Sequence, residues 1–202
     1  MHYSRRLMWC LFIIIGVVFS ACFMVDHPSN DDDDEPVSVI GNPGFGMIED
    51  GIVTGWQSRD ILVERGQREE GVVLFKWHDD AFLRDVGSVS IELPSGCEAK
   101  APWPRWFQNI TLEEGQSFAI EIGVKTENIE SGSGAYASLE YYDTDGTRIA
   151  YKNSREFHTG TNDWTTITIE HTVPQNTARI ELQLLLSGTG KVWFDYVELA
   201  IY

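Results

Sequence analysis

Alternation of apolar and polar residues dominates the last third of the chain, from Trp164 to Leu199, and constrains the fold more than any other feature. An apolar series there alternates with Arg179, Glu181 and Gln183, and consists of Ile180, Leu182, Leu184 and Leu186. A period of two means that one face of a strand is buried and the other faces solvent. The runs that we predict as strands are Thr165–Thr172, Thr177–Ser187 and Lys191–Ile201, separated by the turn sequences VPQN and GTG.

The alternation of the last run slips near its middle. Val192 and Phe194 share one register, whereas Val197 lies in the other. One extra residue must be absorbed near Asp195 and Tyr196, which is what a β-bulge does. An acidic side chain at a bulge in a core strand needs a partner, so this position is the first candidate for a functional role.

The rest of residues 37–202 gives the same signal, because no long segment there has the 3.6-residue period of a helix. Further predicted strands are Val37–Ile40, Ile61–Arg65, Gly71–His78, Ser88–Leu93, Phe107–Leu112, Gln116–Thr126, Ala135–Tyr142 and Arg148–Lys152. Turn sequences lie between them, among them Ser131–Gly134. Many short strands at a spacing of about ten residues predict an all-β fold, an antiparallel β-sandwich of the jelly-roll type.

Residues 1–21 have the features of a signal peptide. Arg5 and Arg6 precede an apolar run, Leu7 to Phe19, that is too short to span a bilayer. The sequence Phe19-Ser20-Ala21-Cys22 resembles the bacterial lipoprotein processing box, with Phe in place of the usual Leu. The resemblance implies cleavage before Cys22 and a membrane anchor through acyl chains on that residue. An ordinary cleaved signal and an uncleaved anchor are the alternatives.

Residues 22–36 are predicted to be a tether, since Asp31 to Glu35 are five consecutive acids that repel one another and extend the chain. The stretch from Ser29 to Glu35 resembles the lipoprotein export signal of Bacteroidota-type bacteria. That resemblance implies an outer-membrane location facing the extracellular side. A plain spacer is the alternative.

Charge and cysteine content exclude several classes of function. The net charge of −16 argues against nucleic acid as a partner, because phosphates need a basic face. Cys97 is the sole cysteine beyond Cys22, so the domain has no internal disulfide. No histidine adjoins Cys97 in sequence, and a structural role is favoured over a catalytic thiol.

Several short motifs, in order, resemble carbohydrate-binding modules of families 4, 9 and 22. They are Asn42-Pro43-Gly44-Phe45 followed by Gly55-Trp56, then Gly87–Ile91, Trp106–Gln116, Ile122–Thr126, Asn162–Trp164, Val173-Pro174 and Val192–Val197. Each motif is weak alone, but their order and spacing cover nearly all of residues 42–199. The resemblance implies a galactose-binding-like jelly roll that binds glycans, often beside a glycoside hydrolase.

The same resemblance implies a structural calcium ion, with Asp195 as a ligand. Gly46 stands where the family usually has a Glu, so one carboxylate is missing. Calcium takes six to eight oxygen ligands. Glu49 or Asp50 could compensate, and the alternative is that Asp195 only hydrogen-bonds the N-terminal loop.

Glycans are bound by aromatic faces, which contact pyranose C–H groups, and by polar side chains, which bond the hydroxyls. Strand parity predicts an outward-facing polar platform, formed by Glu121, Glu140, Tyr142 and Gln183. Aromatic contacts are expected from Trp77, Trp103, Trp106 and Tyr136. The segment Trp103-Pro104-Arg105-Trp106 is the most suggestive, although Trp77 and Trp106 could equally be core residues. Trp56, Trp164 and Trp193 are predicted to lie in the core.

The sequence therefore predicts a surface-exposed lipoprotein that binds polysaccharide or oligosaccharide without catalysis. A structural or protein-docking lipoprotein, with partner proteins in a glycan-uptake complex, is the alternative. A glycan hydrolase or lyase is less favoured, because no motif nominates a pair of carboxylates. His78, His158 and His171 are scattered without the spacing of metal ligands.

Overall fold

The computed structural model describes residues 39–84, 86–97 and 100–202. The predicted signal peptide, Cys22 and the acidic tether lie outside the described residues. The elements are β1 (Ile48–Glu49), β2 (Ile52–Val53), β3 (Gln57–Arg59), α1 (Ile61–Glu64), β4 (Leu74–His78), β5 (Ser88–Leu93), β6 (Arg105–Ile110), β7 (Ser117–Tyr142), β8 (Arg148–Asn153), β9 (Gly160–Thr172) and β10 (Arg179–Ile201). In the part of the chain that the structure describes, no helix is long and apolar enough to cross a bilayer.

Strands β7 and β10 are long, with 26 and 23 residues, and they run antiparallel to each other from end to end. Their register runs from Arg179 opposite Tyr142 to Ile201 opposite Phe118. The sequence predicts each of them as two strands joined by a turn, and this prediction was wrong. The Gly-rich segments 131–134 and 188–190 are corners at which both strands bend together.

The bend divides the β-structure into two sheets that share β7 and β10. The front sheet has the order β3-β6-β10-β7-β8 and uses the first half of β10 and the second half of β7. The back sheet has the order β4-β5-β10-β7-β9 and uses the other halves. All these pairs are antiparallel, which confirms the predicted all-β, antiparallel β-sandwich.

Glycines make the corner possible. A Cβ atom on Gly132 would lie 2.1 Å from the carbonyl oxygen of Ser187 on the adjacent strand. Gly188 has a φ of 137°, a conformation that residues with a side chain rarely adopt. The register between the two strands shifts on both sides of Thr189. The corner thus requires backbones to approach more closely than side chains permit.

The core lies between the sheets and confirms the predicted alternation. From the front sheet it takes residues such as Leu139, Tyr141, Leu182 and Leu184, and from the back sheet Val89, Ile91, Ile120, Ile122 and Phe194. Trp56 is also a core residue, as predicted. The prediction was wrong for Trp164, whereas the predicted burial of Trp193 is confirmed. Trp164 is only half-buried on β9. Trp193 is buried outside the core cluster, with the Nζ atom of Lys191 4.3 Å from its ring centroid.

The predicted bulge is confirmed. The register shifts between Asp195, which lies opposite Gly123, and Val197, which lies opposite Ile122. Tyr196 is the extra residue. Its ring covers Gly123, where a Cβ atom would lie 2.8 Å from Cε1, and its hydroxyl lies 2.9 Å from that of Thr166.

The segment predicted as a strand at Ile61–Arg65 is instead the short helix α1. Its N-cap is Asp60, whose Oδ1 accepts a hydrogen bond of 3.1 Å from the Leu62 N–H. The other oxygen of Asp60 pairs with Arg68 at 2.8 Å. A short apolar run is compatible with either a strand or a helical turn, and here the N-cap at Asp60 favours the helix.

Candidate functional site

Polar side chains form a row across the outer face of the front sheet, directed away from the core. Ser138 of β7 lies opposite Asn153 of β8 and Gln183 of β10, and Gln183 lies opposite Phe107 of β6. The next row contains Tyr151, Glu140, Glu181 and Asn109. Residues directly opposite on antiparallel strands have Cβ atoms roughly 5 Å apart. The sheet therefore places these polar groups within reach of one ligand.

The outer face of the front sheet has a cleft with a volume of about 330 Å³. We call it the front cleft; it is lined by Pro102, Trp103, Arg105, Tyr136, Ser138, Glu140, Arg148, Tyr151, Asn153, Gln183 and Leu185. Four of the residues predicted from the sequence meet here: Trp103, Tyr136, Glu140 and Gln183. Tyr142 adjoins them, because its hydroxyl donates a hydrogen bond to the Glu140 carboxylate.

The remaining predicted residues lie elsewhere. Trp77 and Trp106 line a second depression, of about 470 Å³, at the edge between β3 and β4, which we call the edge groove. Both indole N–H groups are already engaged, Trp77 with the Phe45 carbonyl at 2.9 Å and Trp106 with the Ser90 carbonyl at 3.1 Å. Trp106 is a core residue with 7% of its surface exposed, so its place in a solvent-facing glycan site was a wrong prediction.

Glu121 is also separated from the front cleft. It is exposed on the back sheet, opposite Glu198 of β10 and Thr168 of β9. Strand parity predicts Glu121 beside Glu140 because both point outward from β7. The bend in β7 carries them onto different sheets, so the predicted four-residue platform was wrong in this member.

The two carboxylates of the front face are held by arginines. The Glu140 carboxylate pairs with Arg148 at 2.6 Å. The Glu181 carboxylate lies 3.3 Å from Arg179 and 3.7 Å from Arg105, and it accepts a hydrogen bond of 2.6 Å from Gln183 Nε2. Glu181 and Gln183 are only 5% and 3% exposed, although they point outward. They are a buried network beneath the cleft and not the wet platform that parity predicts.

The ionisation of this network follows from its contacts. Burial tends to raise the pKa of Glu140, but hydrogen bonds from Tyr142 and Arg148 outweigh it and hold that pKa below its ordinary value. Burial and the hydrogen bond to Glu140 raise the pKa of Tyr142 to about 12. Burial also raises the pKa of Tyr136 to about 12, against the opposing charge of Arg105. At neutral pH the cleft thus has an ionised Glu140 beside neutral phenols.

Replacing Tyr142 by phenylalanine is expected to lower the free energy of unfolding at pH 7 by about 1 kcal/mol, since a hydrogen bond to a partly exposed charged group is lost. The pKa of Glu140 is lower in the folded than in the unfolded chain, so its contribution to stability is present above the unfolded pKa and is lost as pH falls through the folded pKa. The difference between the two proteins should therefore shrink below about pH 4.

Urea denaturation at a series of pH values measures this effect. Replacing Tyr202, an exposed tyrosine at the end of the chain, by phenylalanine provides the control. A stability difference for Tyr142→Phe that does not change between pH 7 and pH 3 would contradict the role of the Glu140 carboxylate.

Tyr151 and the arginines of the cleft were missed from the sequence. Tyr151 is 63% exposed and lies opposite Glu140, on the outer face of β8. A register irregularity at Tyr141 and Tyr142 leaves β8 without the simple alternation that would place Tyr151 by parity. Arg105 was noticed only as a neighbour of two tryptophans. The pairing register of β6 with β10, which sequence alone does not give, places it in the cleft.

Asp195 is fully buried, and its carboxylate is occupied by backbone donors. Oδ2 accepts hydrogen bonds from the N–H groups of Leu83 at 2.6 Å and Arg84 at 2.8 Å, and Oδ1 accepts one from Tyr196 at 2.7 Å. Glu49 and Asp50 are exposed. Within the described residues no three His, Cys, Asp or Glu side chains form a group that could hold a metal ion.

This donor set does not fit a calcium site. The N–H groups of a backbone loop occupy the positions around the Asp195 carboxylate where a calcium ion and its other oxygen ligands would have to lie. The contacts favour the alternative, in which Asp195 only accepts hydrogen bonds from a loop, here residues 83–84. The N-terminal loop is held by a different contact, in which the Val197 N–H donates a hydrogen bond of 2.8 Å to the Pro43 carbonyl. Calcium binding stays a prediction that a titration can test.

Comparisons with known proteins agree with this architecture. The model of the family described as BppA domain 1 (CBM_4_9_1) matches residues 104–199, which include β6 to β9 and most of β10. The tRNA nuclease WapA of Bacillus subtilis strain 168 is 31% identical over 98 residues, covering 46% of this chain. A tRNA(Glu)-specific nuclease WapA of B. subtilis subsp. natto is 30% identical over 98 residues. The chain spans about 4% of the length of these curated relatives.

Solved structures share the fold at low sequence identity. The CBM22-1 xylan-binding domain of Paenibacillus barcinonensis Xyn10C is 14% identical with a TM-score of 0.55, over 78% of this chain and 90% of that one. The enzymatically active domain of bacteriophage CBA120 tailspike protein 4 is 17% identical with a TM-score of 0.54, over 79% and 22%. A xylan-binding domain from CBM22 is 16% identical with a TM-score of 0.51, over 80% and 97%. The fold is that of carbohydrate-binding modules, and it agrees with the jelly roll that the sequence motifs imply.

Proposed function

We propose that the protein binds a polysaccharide or oligosaccharide in the front cleft. The observation that carries the proposal is the composition of that cleft, which is lined by the aromatic residues Trp103, Tyr136 and Tyr151 and by the polar side chains of Ser138 and Asn153. Aromatic faces can stack on pyranose rings, while hydroxyl and amide groups satisfy sugar hydroxyls. The edge groove is a poorer candidate, because the N–H groups of its three tryptophans, Trp56, Trp77 and Trp106, are all bound to backbone carbonyls.

Binding without catalysis is the form of this proposal that the carboxylates support. A glycosidase needs one carboxylic acid with a raised pKa beside a second, ionised carboxylate. The pKa of Glu140 is lowered, and arginines neutralise both Glu140 and Glu181. Glu140 is therefore not set up to donate a proton to a leaving oxygen, and Glu181 lies buried beneath the cleft.

The proposal includes display on the outer membrane through a lipid at Cys22, with the acidic tether holding the domain away from the surface. Its support is the signal-like segment and the processing box in the sequence. Metabolic labelling with a fatty acid tests lipidation, using Cys22→Ala as the unlabelled control. Protease treatment of whole cells tests exposure, and protection of the domain in intact cells would contradict an extracellular location.

Replacing Trp103 by alanine is expected to weaken glycan binding about tenfold or more, because a stacking surface worth about 1.5 kcal/mol or more is lost. Isothermal titration calorimetry against a broad panel of plant, algal and host glycans gives the dissociation constants. Trp164→Ala is the matched control, since Trp164 is half-buried on β9 of the back sheet. Equal losses for both variants, or none for Trp103→Ala, would contradict the front cleft as the site.

If the wild-type protein binds no glycan of the panel, this result would contradict glycan binding itself. Release of reducing ends from any bound glycan would contradict the non-catalytic form of the proposal. The nuclease named among the curated relatives gives no reason to expect nucleic-acid binding here, since a net charge of −16 repels phosphates.

A further inference from the structure

The outer face of the front sheet is basic in an otherwise acidic protein. Four arginines lie on this face, Arg59, Arg105, Arg148 and Arg179, as their pairing partners on the sheet show. Among the described residues, the carboxylates on the same face are Glu140 and Glu181, and Glu64 of α1 contacts Arg59 from the rim at 3.1 Å. The face therefore has an excess of positive charge, whereas the whole chain has a net charge of −16.

The excess is concentrated at the front cleft. Three of the arginines contact carboxylates on the face, but they share two of these, because Arg105 and Arg179 both pair with Glu181. The pair of Arg148 with Glu140 is one to one. One guanidinium charge beside the cleft is thus without a carboxylate of its own.

Arg105 is the group with unused bonding capacity. It is 7% exposed, it lines the front cleft, and its Nε is buried without a hydrogen-bond partner. Its contact with Glu181 is 3.7 Å, an ion pair longer than a hydrogen bond. A guanidinium has five N–H donors in a fixed fork and is always charged, so a buried one whose Nε–H is unpaired favours an anionic acceptor.

We infer that the glycan bound in the front cleft is anionic, and that a carboxylate or sulfate on it is held by Arg105. The inference rests on the proposed function and specifies its ligand class. A planar guanidinium binds such oxyanions through two parallel N–H···O bonds, which are stronger than bonds to neutral hydroxyls. Trp103 and Tyr151 then stack on the sugar rings, while Arg148 adds positive charge at the side of the same cleft.

Calorimetry with two pairs of polysaccharides tests the inference. The first pair is polygalacturonate and its fully methyl-esterified form, which keep one backbone and differ in the charged carboxylate. The second pair is a sulfated galactan and the same galactan after desulfation. We expect at least a tenfold preference for the charged member of one pair in 50 mM NaCl, and a preference that decreases in 500 mM NaCl because salt screens the attraction. The responding pair identifies carboxylate or sulfate as the recognised group.

Variants connect the preference to the arginine. Arg105→Gln is expected to reduce the ratio of charged to neutral affinity by a factor of ten or more. Arg148→Gln gives a second, more exposed variant for the case in which Arg105→Gln does not fold, and should reduce the ratio as well. Arg155→Gln is the control, because the Arg155 side chain is 75% exposed and pairs with Glu170 away from the front cleft.

The outcomes separate this inference from the proposed function. Equal affinity for the charged and neutral members of both pairs, unaffected by salt, would overturn the anionic ligand while leaving glycan binding in place. A preference for charge that survives both Arg105→Gln and Arg148→Gln would overturn the role of the cleft arginines. Absence of binding to every glycan would overturn both proposals.

Discussion

Replacing Asp195 by asparagine is expected to lower the free energy of unfolding by about 2–4 kcal/mol, the range for breaking a buried, charge-assisted hydrogen-bond network. The carboxylate accepts bonds from three backbone N–H groups and is fully buried. An amide presents an NH₂ group to at least one of those donors, which leaves it unpaired. Urea denaturation followed by tryptophan fluorescence measures the change.

The control for this variant is Asp163→Asn, because the Asp163 side chain is 88% exposed and its ion pair with Lys125 is long, at 3.7 Å. It should change stability by less than about 0.5 kcal/mol. Calcium chloride and a chelator should leave the unfolding midpoint of the wild-type protein unchanged. Stabilisation by calcium that is lost in Asp195→Asn would contradict the hydrogen-bonded loop and support the metal site that the sequence motifs imply.

Replacing Gly132 by alanine is expected to destabilise the domain by about 3 kcal/mol or more, at the upper end of the cost of overpacking. The added Cβ would lie 2.1 Å from the Ser187 carbonyl oxygen and 2.6 Å from the Gly188 nitrogen. Both are backbone atoms of the adjacent strand, so relief requires the paired strands to move apart at the corner. Thermal unfolding and urea denaturation both report the loss.

Gly146→Ala is the matched control for the corner. Gly146 has a φ of 77°, but a Cβ atom there has nothing within 4 Å. It should therefore cost only the conformational strain, about 1 kcal/mol. A Gly132→Ala protein as stable as Gly146→Ala would contradict the close approach of β7 and β10 at the corner.

The strands and the bulge were predictable because their signals are local. The alternation in β10 gave the buried face, and its slip near Asp195 gave the bulge that the register confirms. The corner was not predictable in this way. Glycine clusters at 131–134 and 188–190 also have the composition of hairpin turns. Only pairing between distant halves of the chain distinguishes a bend from a turn.

The candidate site was predictable to the extent that it depends on parity. Tyr136, Glu140 and Gln183 lie on the front face as their strands indicate, and Trp103 comes from the suggestive segment before β6. The predictions for Glu121 and Trp106 were wrong because parity indicates only the side of the strand on which a residue lies. It does not indicate the sheet to which that part of the strand belongs, or how deeply the side chain is buried. The electrostatic character of the cleft depends on the register among β6, β7, β8 and β10, so no sequence signal placed Arg105 and Arg148 together in it.

Because β7 and β10 belong to both sheets, the two sheets are continuous along these strands. In a sandwich whose sheets have no strand in common, the sheets can slide by exchanging side-chain contacts. Here a shift of the front sheet relative to the back sheet would have to break backbone hydrogen bonds along the paired strands. The curvature of the ligand-facing sheet is consequently set by covalent and hydrogen-bonded continuity, and a ligand meets a surface that is already shaped before it arrives.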